Sequence, residues 1–322
     1  MNIKKIGLTA LAASLVSVSS ATAGEISASG AASMTVENYS GVLRNAGVAY
    51  SMADSVTLSG SGELDNGITA SVSFELDSDN PGTSSYDNKS VTISSDSLGT
   101  LTLAGHGGSS AVSAIDGTAA GDVFDTFDTK VGGASASTAE TATAAGDAAM
   151  LTSPGGANTM LYTLPAFVDG LSVSASYTPQ GSNAESSSAF GGTYTGVEGL
   201  SVSYGVGTND GAAGTANNAD VTTMKASYAY GPVTLAYSDH EFDSATATRD
   251  QDVTSYSIAY TVTDGISVTY GTETFDSGET AVDAEYSKVS VAYTSGGMTI
   301  TAVSAEGENI SYSTAAAEDV DY

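Results

Sequence analysis

Carboxylates are the side chains of this sequence best suited to act on something else, and they gather in one segment. Between His106 and about residue 156, Asp116, Asp122, Asp125 and Asp128 are interleaved with glycine and with Val123, Phe124 and Phe127. Such a segment could hold calcium weakly, but it has neither the EF-hand spacing nor a glycine-rich nonapeptide repeat, and solvated acids are the simpler reading. The two histidines, His106 and His240, are far apart and lack ligand spacing, which argues against zinc. No G-x-S-x-G elbow accompanies the many serines. The residues therefore point to no catalytic centre and to no cofactor beyond weak Ca²⁺ at the acidic loops. Val123, Phe124 and Phe127 would gain nothing from solvent, and they could pin the segment against a wall.

The elements that would carry this segment are strands. In residues 55–79, Ile68, Ala70, Val72, Phe74 and Leu76 alternate with Thr69, Ser71, Ser73 and Glu75, a period of two. Asp65-Asn66-Gly67 joins this run to a similar one before it, and Asn-Gly between two such runs signals a hairpin. Seven tight turns of this kind recur, at 65–67, 96–99, 168–170, 197–199, 230–232, 263–265 and 295–297. Eight longer acidic, Gly/Ser/Asn-rich stretches lie between them, at about 39–54, 77–88, 106–156, 179–187, 208–220, 243–251, 276–285 and 307–317. Seven short turns and eight long loops predict sixteen antiparallel strands with both termini on the short-turn side. That asymmetry belongs to outer-membrane barrels.

The faces agree. Leu171, Val173, Ala175 and Tyr177 alternate with Ser172, Ser174 and Ser176, and Val289, Val291 and Tyr293 with Lys288, Ser290 and Ala292. The apolar set would meet lipid, and the small polar set would line water. Tyr230, Tyr260 and Tyr293 precede short turns, while Phe74, Tyr177, Tyr204, Tyr237, Tyr270 and Phe275 lie toward the long loops. Two aromatic bands match the interfacial girdles of a barrel in lipid. A strand edge left open in hydrocarbon would leave backbone groups unpaired, so the sheet must close.

Composition narrows the class further. Lys4 and Lys5, the apolar run 6–18 and Ala21-Thr22-Ala23 read as a secretory signal peptide, residues 1–23, followed by one domain over 24–322. Without Lys4 and Lys5, 6 basic residues face 37 acidic ones, a formal charge of −31. That excess excludes nucleic acid as a partner. Cysteine and tryptophan are absent, so no disulfide holds the exported chain together. Charged residues are 14% of the chain, against about 25% in soluble domains. No stretch of about 20 apolar residues follows the leader, so no transmembrane helix is expected.

The leader, the hairpin "KSVTISSDSLGTLTLAG" followed by an acidic third loop, and the later hairpin "NTMLYTLPAFVDGLSVSASY" resemble the general diffusion porins of alphaproteobacteria. The resemblance spans the whole mature chain and rests on the order and spacing of hairpins. It implies a sixteen-stranded barrel in the outer membrane of a Gram-negative bacterium. The third loop, 106–156, would bend into the pore, and three copies would associate as a homotrimer. Small hydrophilic solutes and ions would pass passively, without enzymatic chemistry. By position, Asp116, Asp122, Asp125 and Asp128 would lie on the constricting loop. The sequence departs from the family in two ways. Porins of this kind oppose the acidic loop with several arginines, whereas the wall before the loop offers Arg44 and Lys89, with Lys225 and Lys288 on inward faces farther along. The chain also stops at "EDVDY", early in its sixteenth strand, which predicts a slightly longer full-length protein. With carboxylates dominant at the constriction, the expected preference is for cations.

An exported structural or adhesive β-protein could share the acidic, Gly/Ser/Thr-rich composition. A solenoid of that kind would show one fixed repeat period, and none is visible. The hairpin count and the aromatic bands favour the channel.

Overall fold

The computed structural model describes residues 9–11, 25–39, 47–64, 67–77, 88–127, 150–151, 158–179, 186–209, 219–245, 250–278, 281–296, 298–310, 312, 314 and 319–322. Arg44 and Asp128 of the expected constriction lie outside the described residues.

Among the described residues, fifteen strands of 5 to 17 residues form the wall. In chain order, after a short piece β1 (Thr9–Leu11), they are β2 (Glu25–Tyr39), β3 (Gly47–Glu63), β4 (Thr69–Asp77), β5 (Asn88–Ser95), β6 (Gly99–His106), β7 (Thr159–Thr163) and β8 (Leu171–Thr178). They continue as β9 (Ser187–Tyr194), β10 (Leu200–Asn209), β11 (Ala219–Tyr230), β12 (Val233–Ser244), β13 (Gln251–Thr263), β14 (Ile266–Ser277), β15 (Ala284–Ser295) and β16 (Met298–Glu308), with a two-residue β17 (Val320–Asp321). From β2 to β16 every strand pairs antiparallel with its sequence neighbours in a single sheet. β17, the start of the expected sixteenth strand, pairs with Glu306 and Gly307 of β16. β1 lies inside the expected leader, and it pairs with Thr301 and Met298 of β16 and with Ala32 of β2.

Each of the seven expected tight turns falls between consecutive strands that pair antiparallel, with Asp65, Asn66 and Gly297 outside the described residues. Gly67, Gly99, Gly170 and Gly199 adopt φ values of 74 to 78°, a conformation open to glycine without a Cβ clash. The first long loop is shorter than expected. The alternation Tyr50, Met52 carries strand β3 back to Gly47, in register with β2 up to Tyr39↔Gly47. Glycine and asparagine in this stretch suggested a loop, but the period of two prevails.

Alternation divides the wall into two faces. Leu235, Tyr256, Ile258, Tyr270 and Val291 are 41–57% exposed on the outer face. Ser255 and Glu273, of opposite parity, are fully or almost fully buried. An apolar surface this continuous and this exposed would be insoluble in water and is the surface a bilayer requires. Tyr230, Tyr260 and Tyr293 at the turn ends, and Tyr177, Tyr204 and Tyr270 toward the loops, are all exposed outward. Phe275 departs from the expected girdle. Its parity in β14 is that of Gly271 and Glu273, so it points inward and is fully buried.

Candidate functional site: the loop folded against the inner wall

Small residues on the inward faces leave room for the third loop. A Cβ on Gly191 would lie 2.4 Å from the carbonyl oxygen of Ala111. One on Gly271 would lie 2.6 Å from the Ala120 Cβ. Neither position tolerates a side chain while the loop stays where it is. Ala111 and Val112 pack with Ala189, Ala219, Val221 and Phe242 at one end of the loop's path. At the other end, Val123, Phe124 and Phe127 pack with Phe275, Tyr286, Ala305 and Ile310. Phe124 meets Phe275 edge-on at 5.2 Å between centroids, and Phe127 meets Tyr286 at 5.4 Å. Burying a phenylalanine in this way contributes about 1.5–3 kcal/mol. The apolar residues therefore pin the segment as the sequence suggests.

Hydrogen bonds fix the path between these anchors. The backbone N–H groups of Ala111, Ala119 and Ala120 donate to the hydroxyls of Ser176, Ser238 and Ser255 at 2.8–2.9 Å. The central clamp is Glu273 on β14. Its Oε1 accepts from the Thr118 hydroxyl at 2.5 Å and from the Val123 N–H at 2.7 Å, and its Oε2 accepts from the Phe124 N–H at 3.0 Å. A buried carboxylate is costly unless its lone pairs are filled, and here three donors from one loop fill them. Farther along, Leu151 is held from two sides. Its N–H donates to Gln251 Oε1 at 2.9 Å, and its carbonyl accepts from His240 Nε2. The Gln251 amide also donates to the Tyr312 hydroxyl at 3.1 Å. Burial pushes the Tyr312 phenol up to about 12.

Among the described residues, the cations that oppose the loop are the two lysines on the inward faces of later strands. Lys225 on β11 donates to the carbonyls of Gly117 and Thr118 at 2.6 and 3.1 Å. Lys288 on β15 donates to the Gly121 carbonyl at 3.0 Å and lies within electrostatic reach of Glu273, Asp122 and Asp125. Asp122 adopts φ 49°. It exchanges two hydrogen bonds with Thr118: the Thr118 N–H donates to its carboxylate at 2.8 Å, and its own N–H donates to the Thr118 hydroxyl at 2.7 Å. Asp116 is buried, and Asp125 is exposed in the first turn of a short 3₁₀ helix, Val123–Thr126. The structure thus brings Asp116, Asp122 and Asp125 onto one folded segment.

Lys89 does not join them. Its parity in β5 is that of Val91 and Ile93, so it faces outward, with its stem across Gly105. At the loop end of a membrane strand a lysine can lay its methylenes on the wall and lift its ammonium above the hydrocarbon, which is why a basic residue is tolerated there. Glu273, the residue that organises the site, was not singled out from sequence. The signal available was its position, an acid on the inward face of a strand between Gly271 and Phe275.

A family model described as Gram-negative porin matches residues 7–314. No curated protein matches the chain. Among solved structures, an anion-selective porin from Comamonas acidovorans superposes with a TM-score of 0.60 at 16% identity, covering 88% of this chain and 89% of its own. A triple mutant of the Rhodopseudomonas blastica porin gives 0.63 at 13% identity, covering 92% of this chain and 97% of its own. A structure titled as porin refined at 1.8 Å resolution gives 0.63 at 20% identity, with the same coverage. At these identities the superpositions report a common fold.

Proposed function

The chain belongs to the family of Gram-negative porins, and from that premise we propose a non-enzymatic, water-filled outer-membrane channel. Small hydrophilic solutes and ions diffuse through it passively, and cations pass in preference to anions. The observation that carries the reading is the charge around the folded loop. Asp116, Asp122, Asp125 and Glu273 cluster there against Lys225 and Lys288, and both lysines direct donors to backbone carbonyls of the loop. A net negative ring in a low-dielectric wall concentrates cations in the lumen. The Comamonas acidovorans porin is described as anion-selective, so the fold does not by itself dictate a cation preference, and the charge of the wall has to supply it. On the same reading, residues 1–23 are removed on export and the protein associates as a homotrimer. No cofactor enters the mechanism, and calcium at the acidic loops would be weakly held.

The test is a planar-bilayer recording of the purified protein in a KCl gradient. The expected zero-current potential has the sign of a cation-selective pore. Replacing Asp122, Asp125 and Asp128 together by asparagine moves it toward zero. An anion-selective potential in the unmodified channel would overturn the reading.

A further inference from the structure

An apolar crevice of about 540 Å³ opens on the outer face of β10–β14. Register places its parts. One row across the strands reads Val202, Ala226, Tyr237, Tyr256, Thr272. The row on its turn side reads Leu200, Tyr228, Leu235, Ile258, Tyr270. Ala226 opens the hollow, because its methyl stands beside the Tyr237–Tyr256 ring pair, 5.1 Å between centroids.

The rows above are of the opposite character. Asp239 accepts from the Tyr237 hydroxyl at 3.0 Å. One row farther, Glu241, Asp252 and Asp276 are direct cross-strand neighbours, and beyond them Asp220 is paired with Asp243. Like charges directly opposite destabilise a sheet. Among the described residues of β10–β16 the basic side chains are Lys225 and Lys288, and both face inward. An apolar slot crowned by carboxylates has the polarity of a site for an amphiphile whose headgroup ends in an ammonium group.

We propose that this crevice and the carboxylates above it bind one membrane amphiphile with an ammonium headgroup. The hydrocarbon chain lies along Ala226, Leu235 and Ile258 between tyrosine walls. The ammonium, with its donors, sits on Asp239, Glu241 and Asp252, where hydrogen bonds are charge-assisted. The inference rests on the membrane placement of the outer face and is independent of ion selectivity in the lumen.

The experiment uses the full protein in a neutral sugar detergent. It is loaded with an equimolar mixture of phosphatidylethanolamine and phosphatidylglycerol of identical acyl chains, washed, and examined by native mass spectrometry. The expected result is one phosphatidylethanolamine retained per chain, favoured over phosphatidylglycerol by at least about fivefold and unaffected by EDTA. Ala226→Phe fills the hollow and abolishes retention. The pair Asp239→Asn and Glu241→Gln erases the headgroup preference while a lipid is still retained. Heat-modifiable gel migration verifies folding of each variant, and Ala226→Leu serves if the phenylalanine is not accepted. Equal retention of the two lipids by the unmodified protein would overturn the proposal. So would retention indifferent to filling the hollow. Phosphatidylglycerol held only with Mg²⁺ and released by EDTA would also overturn it, since the carboxylates would then carry bridging metal in place of an ammonium.

Discussion

Glu273 concentrates more of the loop's attachment than any acid on the loop itself. It is 1% exposed and accepts three hydrogen bonds from residues about 150 positions earlier in the chain. Glu273→Ala strands two backbone donors and a hydroxyl, and each buried unsatisfied group costs about 1–3 kcal/mol. The wall survives the change, because β14 keeps its ladder to β13 and β15. The loop does not keep its position, so the variant should form channels with noisier and altered single-channel current. Glu273→Gln retains one acceptor oxygen but turns an amide donor toward the Phe124 N–H, and it should fall between alanine and the native residue. Currents indistinguishable from the unmodified channel would show that the apolar anchors suffice. From sequence, Asp116, Asp122 and Asp125 were legible because glycine and phenylalanine around them marked an exceptional loop. Glu273 was not, because an isolated acid in a strand has no local pattern and its partners lie far away along the chain. Lys89 and Phe275 depart from expectation for a simpler reason: residue type and place along the strand nominate them, and strand parity puts each on the other face.

Strands were the most legible elements, since a period of two and a glycine turn are local features. Neighbouring positions should therefore differ sharply in what they tolerate. Val291 lies outward beside Val268 and Ala302, while Ser290 lies inward beside Thr269 and Val303. Val291→Arg should cost about 2–4 kcal/mol near mid-membrane, and Ser290→Arg should leave folding nearly unchanged, as read by urea unfolding in lipid vesicles. Equal costs would contradict the two-faced wall. The loop's path was not legible, because it depends on where the wall is thin. Gly191 and Gly271 look like ordinary strand glycines in sequence, and only the fold shows the loop lying across them. Gly271→Val tests that close approach. Its side chain would overlap Ala120, and the wall is the stiffer partner, so the loop must move into the lumen. Lower conductance with unchanged heat-modifiable migration is the expected outcome, and an unaltered conductance would mean that the loop yields without narrowing the passage.

At the scale of the molecule two sources of field act on a permeating ion, and salt separates them. Excess acid over the chain is large, 37 acidic residues against 8 basic ones, and among the described residues Asp220, Asp243, Asp276 and Glu308 lie exposed at the loop ends of their strands, in contact with bulk electrolyte. On the proposed reading, Asp122 and Asp125, partly and fully exposed on the folded loop, stand instead against a low-dielectric wall beside the path of a passing ion. The Debye length falls from about 10 Å at 0.1 M to about 3 Å at 1 M, which removes the rim's contribution and leaves much of the constriction's. Cation preference should therefore decline with salt and then level off at a value above unity, with the decline set by the rim and the plateau by the loop. Replacing Asp122, Asp125 and Asp128 by asparagine should remove the plateau while a salt-dependent part persists at 0.1 M. The check is the zero-current potential at fixed concentration ratio and rising mean salt, for both proteins. A preference that vanished completely by 1 M in the unmodified channel would place selectivity at the mouth, and the carboxylates of the third loop would then serve its folding and not its choice of ion.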